Sequence, residues 1–267
     1  MEQVFSDWLH NLPVGWMVVL FFGSGYFTVA VIYAVVVEFP IGWLFRARAF
    51  SASMLSPLGT LFALFVVFTA EQVWNDNDRA SAAVSQEASA LRNTLILATN
   101  FPKEPRGRLE TLIHNYIEEV ATKEWSMMAH DIATLEIVPH NLVEALQLTV
   151  ALTPSSQGQG IAQREMVVAL ESVLDARRQR IAVSHSSVSL VKWACVTIEA
   201  ICVLIAIALS HGDKRAGALV AMGLFATGAA ACYLLIGAYD RPFIGQLSIQ
   251  PDLLLQVMPE ASSDLKQ

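Results

Sequence analysis

Residues 57–68 read Pro57-Leu58-Gly59-Thr60-Leu61-Phe62-Ala63-Leu64-Phe65-Val66-Val67-Phe68, and no charged side chain occurs between Arg48 and Glu71. Crossing about 30 Å of hydrocarbon at 1.5 Å per residue takes a helix of roughly 20 apolar residues. The stretch meets that length and reads as a membrane span. Past Glu71 the pattern changes. Trp74 leads into Asn75-Asp76-Asn77-Asp78-Arg79, after which Ala80, Val84, Ala88, Leu91, Leu95 and Ala98 recur at spacings of three and four. That recurrence marks an amphipathic helix. No Gly or Pro separates it from the span, so the two patterns predict one helix leaving the membrane, ended by Asn100-Phe101-Pro102.

Three further stretches share the apolar character. Between Asp7 and Glu38 only His10 can carry charge near neutral pH. The start of the chain is acidic (Glu2, Asp7) and has no Lys or Arg before Arg46, so this stretch reads as a retained span and not a signal peptide. Residues 188–210 carry Lys192 and Glu199, and the run between Arg215 and Asp240 carries no charge. The whole 267-residue chain is 54% apolar and 15% charged, with a mean hydropathy of +0.48. Soluble domains run nearer 45–50% apolar and about 25% charged. These figures argue against a water-soluble enzyme and against disorder. A net charge of −7 argues against a nucleic-acid partner.

The expected fold is all-α: a polytopic membrane protein with four transmembrane helices and a helical extramembrane insert between spans two and three. Residues 14–74 form the first helix pair, 75–187 the insert, 188–239 the second pair and 240–267 a tail. Inside the insert a second helix follows Pro105, with Leu109, Leu112, Ile113, Tyr116, Ile117 and Val120 on its apolar face, and reaches about Trp125 or Met128. A short third helix follows Pro139 with Leu142, Leu146 and Val150. Pro154 to Gly160 reads as a loop, and a fourth helix runs from about Ile161 past Arg180. In the tail, Gly245 to Pro251 is a brief candidate for extended structure.

Chemistry-bearing motifs are sparse. Cys195, Cys202 and Cys232 all lie in spans, without the spacing of a disulfide framework or a zinc site. The six histidines make no metal-binding spacing, and neither a nucleophile elbow nor a P-loop occurs. No catalytic residue, metal or cofactor is expected. Phe62, Phe65 and Phe68 recur at helical spacing, with Leu58 and Leu61 beside them. Such a stripe can form an apolar constriction that gates by dewetting; the plain alternative is packing or lipid contact. Glu199 falls mid-span, where a carboxyl costs roughly 2.5–3.5 kcal/mol on insertion scales. Lys192 lies about 10 Å from it along the helix. Glu71, Arg241 or a neighbouring subunit are the other candidate partners, and a hydrogen-bonded packing role is the alternative. Arg177, Arg178 and Arg180 either draw anions to a vestibule or form a solvated or lipid-facing surface. Arg46, Arg48, Lys214 and Arg215 in the short loops place those loops in the cytoplasm and the insert outside, whereas the arginines beside span three pull the other way. The topology stays open.

Several phrases together resemble one family: Trp74-Asn75-Asp76, Glu87-Ala88 with Leu91, Tyr116, Glu124-Trp125, Arg177-Arg178-Gln179-Arg180-Ile181, and Asp240-Arg241-Pro242-Phe243-Ile244-Gly245-Gln246-Leu247. They resemble the bestrophin-like domain family over about residues 55–258. The Arg-Pro-Phe-x-Gly phrase of Arg241, Pro242, Phe243 and Gly245 is the most specific. That family is distantly similar to the bestrophins, pentameric anion channels of four-span subunits in which the second span lines the pore and a helical domain extends it into the cytosol. The resemblance implies a neck on the span bearing Leu58, Leu61, Phe62, Phe65 and Phe68. Ile244 intrudes between Phe243 and Gly245, and no acidic calcium-clasp run follows, so calcium gating is not implied. The leading expectation is an oligomeric anion channel, not an enzyme, in the lipid of a bacterial inner (plasma) membrane, with small anions as its ligands and copies of itself as partners. The alternative is a non-conducting binding or sensing module acting through the insert. An intramembrane enzyme using Glu199 ranks third, because no catalytic companion is visible.

Overall fold

A computed structural model describes residues 12–38, 55–211 and 215–259. Among these residues every regular element is a helix. Helix α1 is Val14–Tyr33, relaxing into a wider π turn at Ala34–Glu38. Helix α2 is Leu55–Ala98, an unbroken run of 44 residues and therefore about 66 Å long at 1.5 Å per residue. Then follow α3 (Lys103–Glu119), a π turn (Val120–Glu124), α4 (Trp125–Ala129), α5 (His140–Ala151), α6 (Gln157–Ser184), α7 (Leu190–Ser210), α8 (Arg215–Tyr239) and a one-turn α9 (Asp252–Leu255). Arg46, Arg48 and Lys214 lie outside the described residues.

The chain divides into two compact units. The first takes the described residues up to Asn75 together with Ser187–Arg241 and Gly245–Leu247. It holds four helices long and apolar enough to cross a membrane: α1 with its π turn, the first part of α2, α7 and α8. Its interior is lined by Val29, Ile32, Val36, Phe62, Val66, Val196, Val203 and Met222. Small residues let these helices approach. A Cβ at Gly237 would sit 3.0 Å from the Phe21 ring, so the bare glycine is what lets α1 close on α8 there. Phe21 also meets Trp193 and Tyr233, binding α1, α7 and α8 through one aromatic cluster.

The second unit takes Asp76–Ser186, Pro242–Ile244 and the tail from Ser248. Most of the apolar residues read from the sequence pack here, Leu91 of α2, Leu109, Ile113 and Ile117 of α3 and Leu142 of α5, joined by Leu170 and Val173 of α6, whereas Val150, expected on the buried face of α5, is exposed. Three boundaries differ from the sequence reading, the first being α3, which begins at Lys103 so that Pro105 lies in its first turn. Helix α6 begins at Gln157, so Gln157 to Gly160 are its first turn and not loop. Ser156 Oγ accepts from Gln159 N at 3.2 Å, and Gln159 Oε1 accepts from Ser155 N at 2.7 Å. This mutual capping offsets the poor helix propensity of the two glycines. The tail forms no strand at 245–251. The chain turns there, closed by Ile249 N donating to Pro242 O at 2.8 Å. Gly245 sits at φ 91°, a conformation that penalises any side chain. Gly245→Ala is expected to cost about 1–2 kcal/mol, the left-handed penalty of an L-residue. A melting curve indistinguishable from the parent protein would show that the turn does not depend on this glycine.

Candidate functional site

Six residues singled out by the sequence meet inside the second unit. Glu87 comes from α2, Tyr116 from α3, and Arg177 and Arg180 from α6. Glu124 ends the π turn, and Trp125 opens α4. Glu124 falls on the side of the helix that carries Tyr116, Ile117 and Val120 by α spacing alone, and the extra residue taken up by the π turn brings Trp125 round to that side as well. Arg180, with no exposed surface, donates from Nε to Glu87 Oε2 at 2.8 Å and from Nη2 to Glu87 Oε1 at 3.1 Å and Glu124 Oε1 at 2.6 Å. Its Nη1 points to Met128 Sδ at 3.3 Å, and its guanidinium lies 5.1 Å from the centre of the Trp125 ring. Arg177 donates from Nε to Glu124 Oε2 at 2.8 Å and from Nη2 to the Ile137 carbonyl at 3.0 Å. The Tyr116 hydroxyl donates to Glu87 Oε1 at 2.5 Å.

Two guanidinium groups and two carboxylates cancel, and each carboxylate accepts several donors. That is the condition under which buried charge is tolerable. Burial by itself pulls the Arg180 guanidinium down, but Glu87, Tyr116 and Glu124 raise it by more, so its charge is secure. Burial, then the Glu87 carboxylate, pushes the Tyr116 phenol well above the ordinary tyrosine range. The unfolded chain therefore ionises Tyr116 first as pH rises. Over that interval it binds fewer protons than the folded chain, and stability falls. Below the ordinary tyrosine range this contribution is fully present. Tyr116→Phe is expected to cost about 1–2 kcal/mol through the bond lost to a charged acceptor. It should also flatten the loss of stability above the tyrosine range. Parallel alkaline melting profiles for the two proteins would contradict this assignment.

The network places Arg177 and Arg180 differently from both sequence readings. Neither lines a vestibule or forms a solvated face, because both are buried against glutamates. Arg178 alone of the three is exposed, paired with Asp175 at 2.9 Å. The tail joins the same site. Phe243 packs edge-on against Trp125 with ring centres 5.5 Å apart, and Trp125 Nε1 donates to the Ile249 carbonyl at 3.1 Å. Pro242 is buried beside Phe243. Arg241 is buried in the first unit, where the neighbouring Asp240 accepts from Val188 N at 2.6 Å.

On α2 the neck candidates separate into two faces. Leu61, Phe65 and Phe68 are 46%, 42% and 63% exposed, whereas Phe62 is 8% exposed and packs on Phe225 with ring centres 5.1 Å apart. Phe62 shares its inward face with Val66, Thr69 and Val73. At 100° per residue this face is centred about 90° round the axis from the line through Leu61, Phe65 and Phe68, with Leu58 at the border between the two. Leu58 is half-buried, and Glu71 and Trp74 are exposed. Lys192 pairs with Gln72 of α2, so it is not the partner of Glu199. Among the described residues Glu199 Oε2 is buried without a hydrogen-bond partner. No cluster of three metal-ligating side chains occurs among the described residues.

The sequence profile of the Bestrophin-like domain family matches residues 17–254. The fold is similar to that of a bacterial bestrophin homologue from Klebsiella pneumoniae. Against the crystal structure of a form with a leucine-to-threonine mutation, the TM-score is 0.68 at 11% identity, covering 90% of this chain and 96% of the other. Against a tyrosine-to-alanine form it is 0.63 at 12% identity, covering 97% of each chain. Against the form solved by zinc phasing it is 0.65 at 11% identity, covering 92% and 96%. Identities this low carry the fold and nothing further. No curated protein sequence matches the chain. With four helices fit to cross a bilayer, the chain is an integral membrane protein.

Proposed function

The chain belongs to the bestrophin-like domain family, and on that premise we propose that it is one subunit of an oligomeric anion channel in a bacterial inner membrane, with α2 lining the pore. The observation that carries this reading is the outward apolar line of Leu61, Phe65 and Phe68 on a helix whose adjacent face, Phe62, Val66 and Val73, about 90° round the axis, is committed to the subunit's own interior. Repeated around an axis, that line makes stacked rings of apolar side chains. A narrow apolar ring resists wetting and so gates ion passage. Phe62 has a supporting place in this scheme, behind the pore-facing row. Arg177 and Arg180 contribute no field to the pathway, because Glu124 and Glu87 neutralise them.

The test is halide flux into liposomes carrying the purified protein, with insertion and folding verified in the same sample. Flux above that of empty liposomes supports a channel. Folded, inserted protein that passes no halide, whether or not Phe65 is replaced by Ala, sinks the reading. The helical unit would then be the working part, as a binding or sensing module.

A further inference from the structure

Within the second unit, the loop joining α4 to α5 turns large apolar side chains outward. Ile132, Leu135, Ile137 and Val138 are 63%, 47%, 68% and 46% exposed, on the order of 400 Å² of apolar surface, the size of patch that marks an interaction site. The loop is nevertheless fastened. Asp131 turns the chain at φ 59°. His185 of α6 pairs through Nδ1 with Asp131 and donates from Nε2 to the Ala133 carbonyl at 2.9 Å. Arg177 of the same helix holds the Ile137 carbonyl, and Ala133 and Pro139 are buried. These contacts order the backbone yet leave its largest side chains in water, which is unfavourable for an isolated subunit. We propose that this loop docks on a second copy of the chain, against the ridge that α2 and α6 form in the neighbouring helical unit. The proposal rests on the oligomeric part of the reading above and not on conduction.

The ridge is a matching surface. Gln86 of α2 donates to Ser172 Oγ of α6 at 3.2 Å, and Gln159 of α6 donates to the Asn100 carbonyl of α2 at 2.8 Å. Numbers rise on one helix as they fall on the other, so the two run antiparallel and Ile96 stands level with Ala162. Ile96, Ile161 and Val168, 58%, 49% and 58% exposed, therefore gather along one ridge. Charge selects between occupants. No Lys or Arg occurs between Lys123 and Arg164, and the loop itself carries Asp131 and Glu136. An anionic bilayer surface repels such a loop. The ridge carries exposed Arg92 and Arg164 against Glu165. Geometry selects the mode of contact. Val168 lies nine residues before Arg177, hence 180° round α6 from the side that holds the loop. Loop and ridge thus occupy opposite sides of α6, so one copy meets the next head to tail, a contact that repeats around a ring. The exposed apolar area is close to the apolar share of the roughly 800 Å² that each partner gives to a standard interface.

The experiment uses the full chain in liposomes with Cys195→Ala, Cys202→Ala and Cys232→Ala. Ile137→Cys and Val168→Cys are placed together in that chain, and a short bis-maleimide is added. Both positions are exposed, so the exchanges remove little packing. Each single variant is run beside the pair, as is a control pair of Ile137→Cys with Leu253→Cys, an exposed position on α9. We expect a ladder of covalent multimers ending at the native mass found by light scattering. Its yield should be roughly fivefold above every control, because docked thiols meet at the high effective concentration of a bound pair. Native multimers without this ladder overturn the proposal and leave the oligomeric channel standing. A monomer overturns both. Cross-linking of Ile137→Cys alone, as strong as that of the pair, means loop-to-loop contact and overturns the proposal. So does a fluorophore attached through Ile137→Cys that brominated lipid quenches while no ladder forms, which gives the loop to the bilayer. A ladder in a protein that passes no halide supports the docking and sinks only the channel.

Discussion

Arg180→Ala is expected to destabilise the helical unit by about 3–5 kcal/mol, the usual effect of removing one partner from a buried ion pair. The arginine has no exposed surface and serves both carboxylates. Without it Glu87 keeps only the Tyr116 hydroxyl, and Glu124 keeps only Arg177. One negative charge is then left over in a site that excludes water. Removing Glu87 as well restores neutrality, because Arg177 and Glu124 still match. The double variant Arg180→Leu, Glu87→Leu is therefore expected to recover most of the loss, in line with apolar replacement of whole buried pairs. Arg178→Ala provides the contrast. Its pair with Asp175 is exposed, and such pairs contribute little. Thermal melting of the detergent-solubilised protein, followed by far-UV circular dichroism, reads all three. A single variant at Arg180 that melts with the parent, or a double variant that melts lower than the single, would mean that charge balance is not what the site provides.

The spans and most insert helices were legible because length and hydropathy are local properties. Leu109, Ile113 and Ile117 marked the buried face of α3 by spacing alone. The start of α6 was also written in the chain. Ser156 and Gln159 stand three apart, as in a capping box, but the surrounding Gly and Ser residues read as loop composition. The ion network was not legible as a network. Periodicity assigns a residue to a face of its own helix but not to a partner, and Glu87 and Arg180 are separated by most of the insert. The π turn that aims Trp125 also breaks the period on which a face is predicted. Within the membrane the difficulty is different. A span is apolar on all sides, since lipid and interior demand the same side chains, so the pattern hides which side faces inward. That is why Phe62 joined Phe65 and Phe68 in one stripe, although the structure turns it toward Phe225.

The two faces of α2 make the second prediction sharp. Phe65→Ala should raise halide flux at least tenfold, with folding and insertion unchanged. The side chain is exposed in the single subunit, so its removal takes little packing away. In a symmetric ring the same substitution occurs in every copy, and one whole layer of the neck widens at once. A barrier lowered by about 1.4 kcal/mol is enough for tenfold. Phe68→Ala and Leu61→Ala act on the neighbouring layers, within about 6 Å along the axis, and are expected to move flux in the same direction. Phe62→Ala should do the opposite. It deletes a ring packed on Phe225, so the melting temperature falls while flux per folded subunit stays near the parent value. Flux and melting together thus distinguish a pore-facing row from an inward one. A rise in flux for Phe62→Ala with none for Phe65→Ala would reverse the assignment of the two faces. The pore lining would then have to be the face of α2 that carries Phe62.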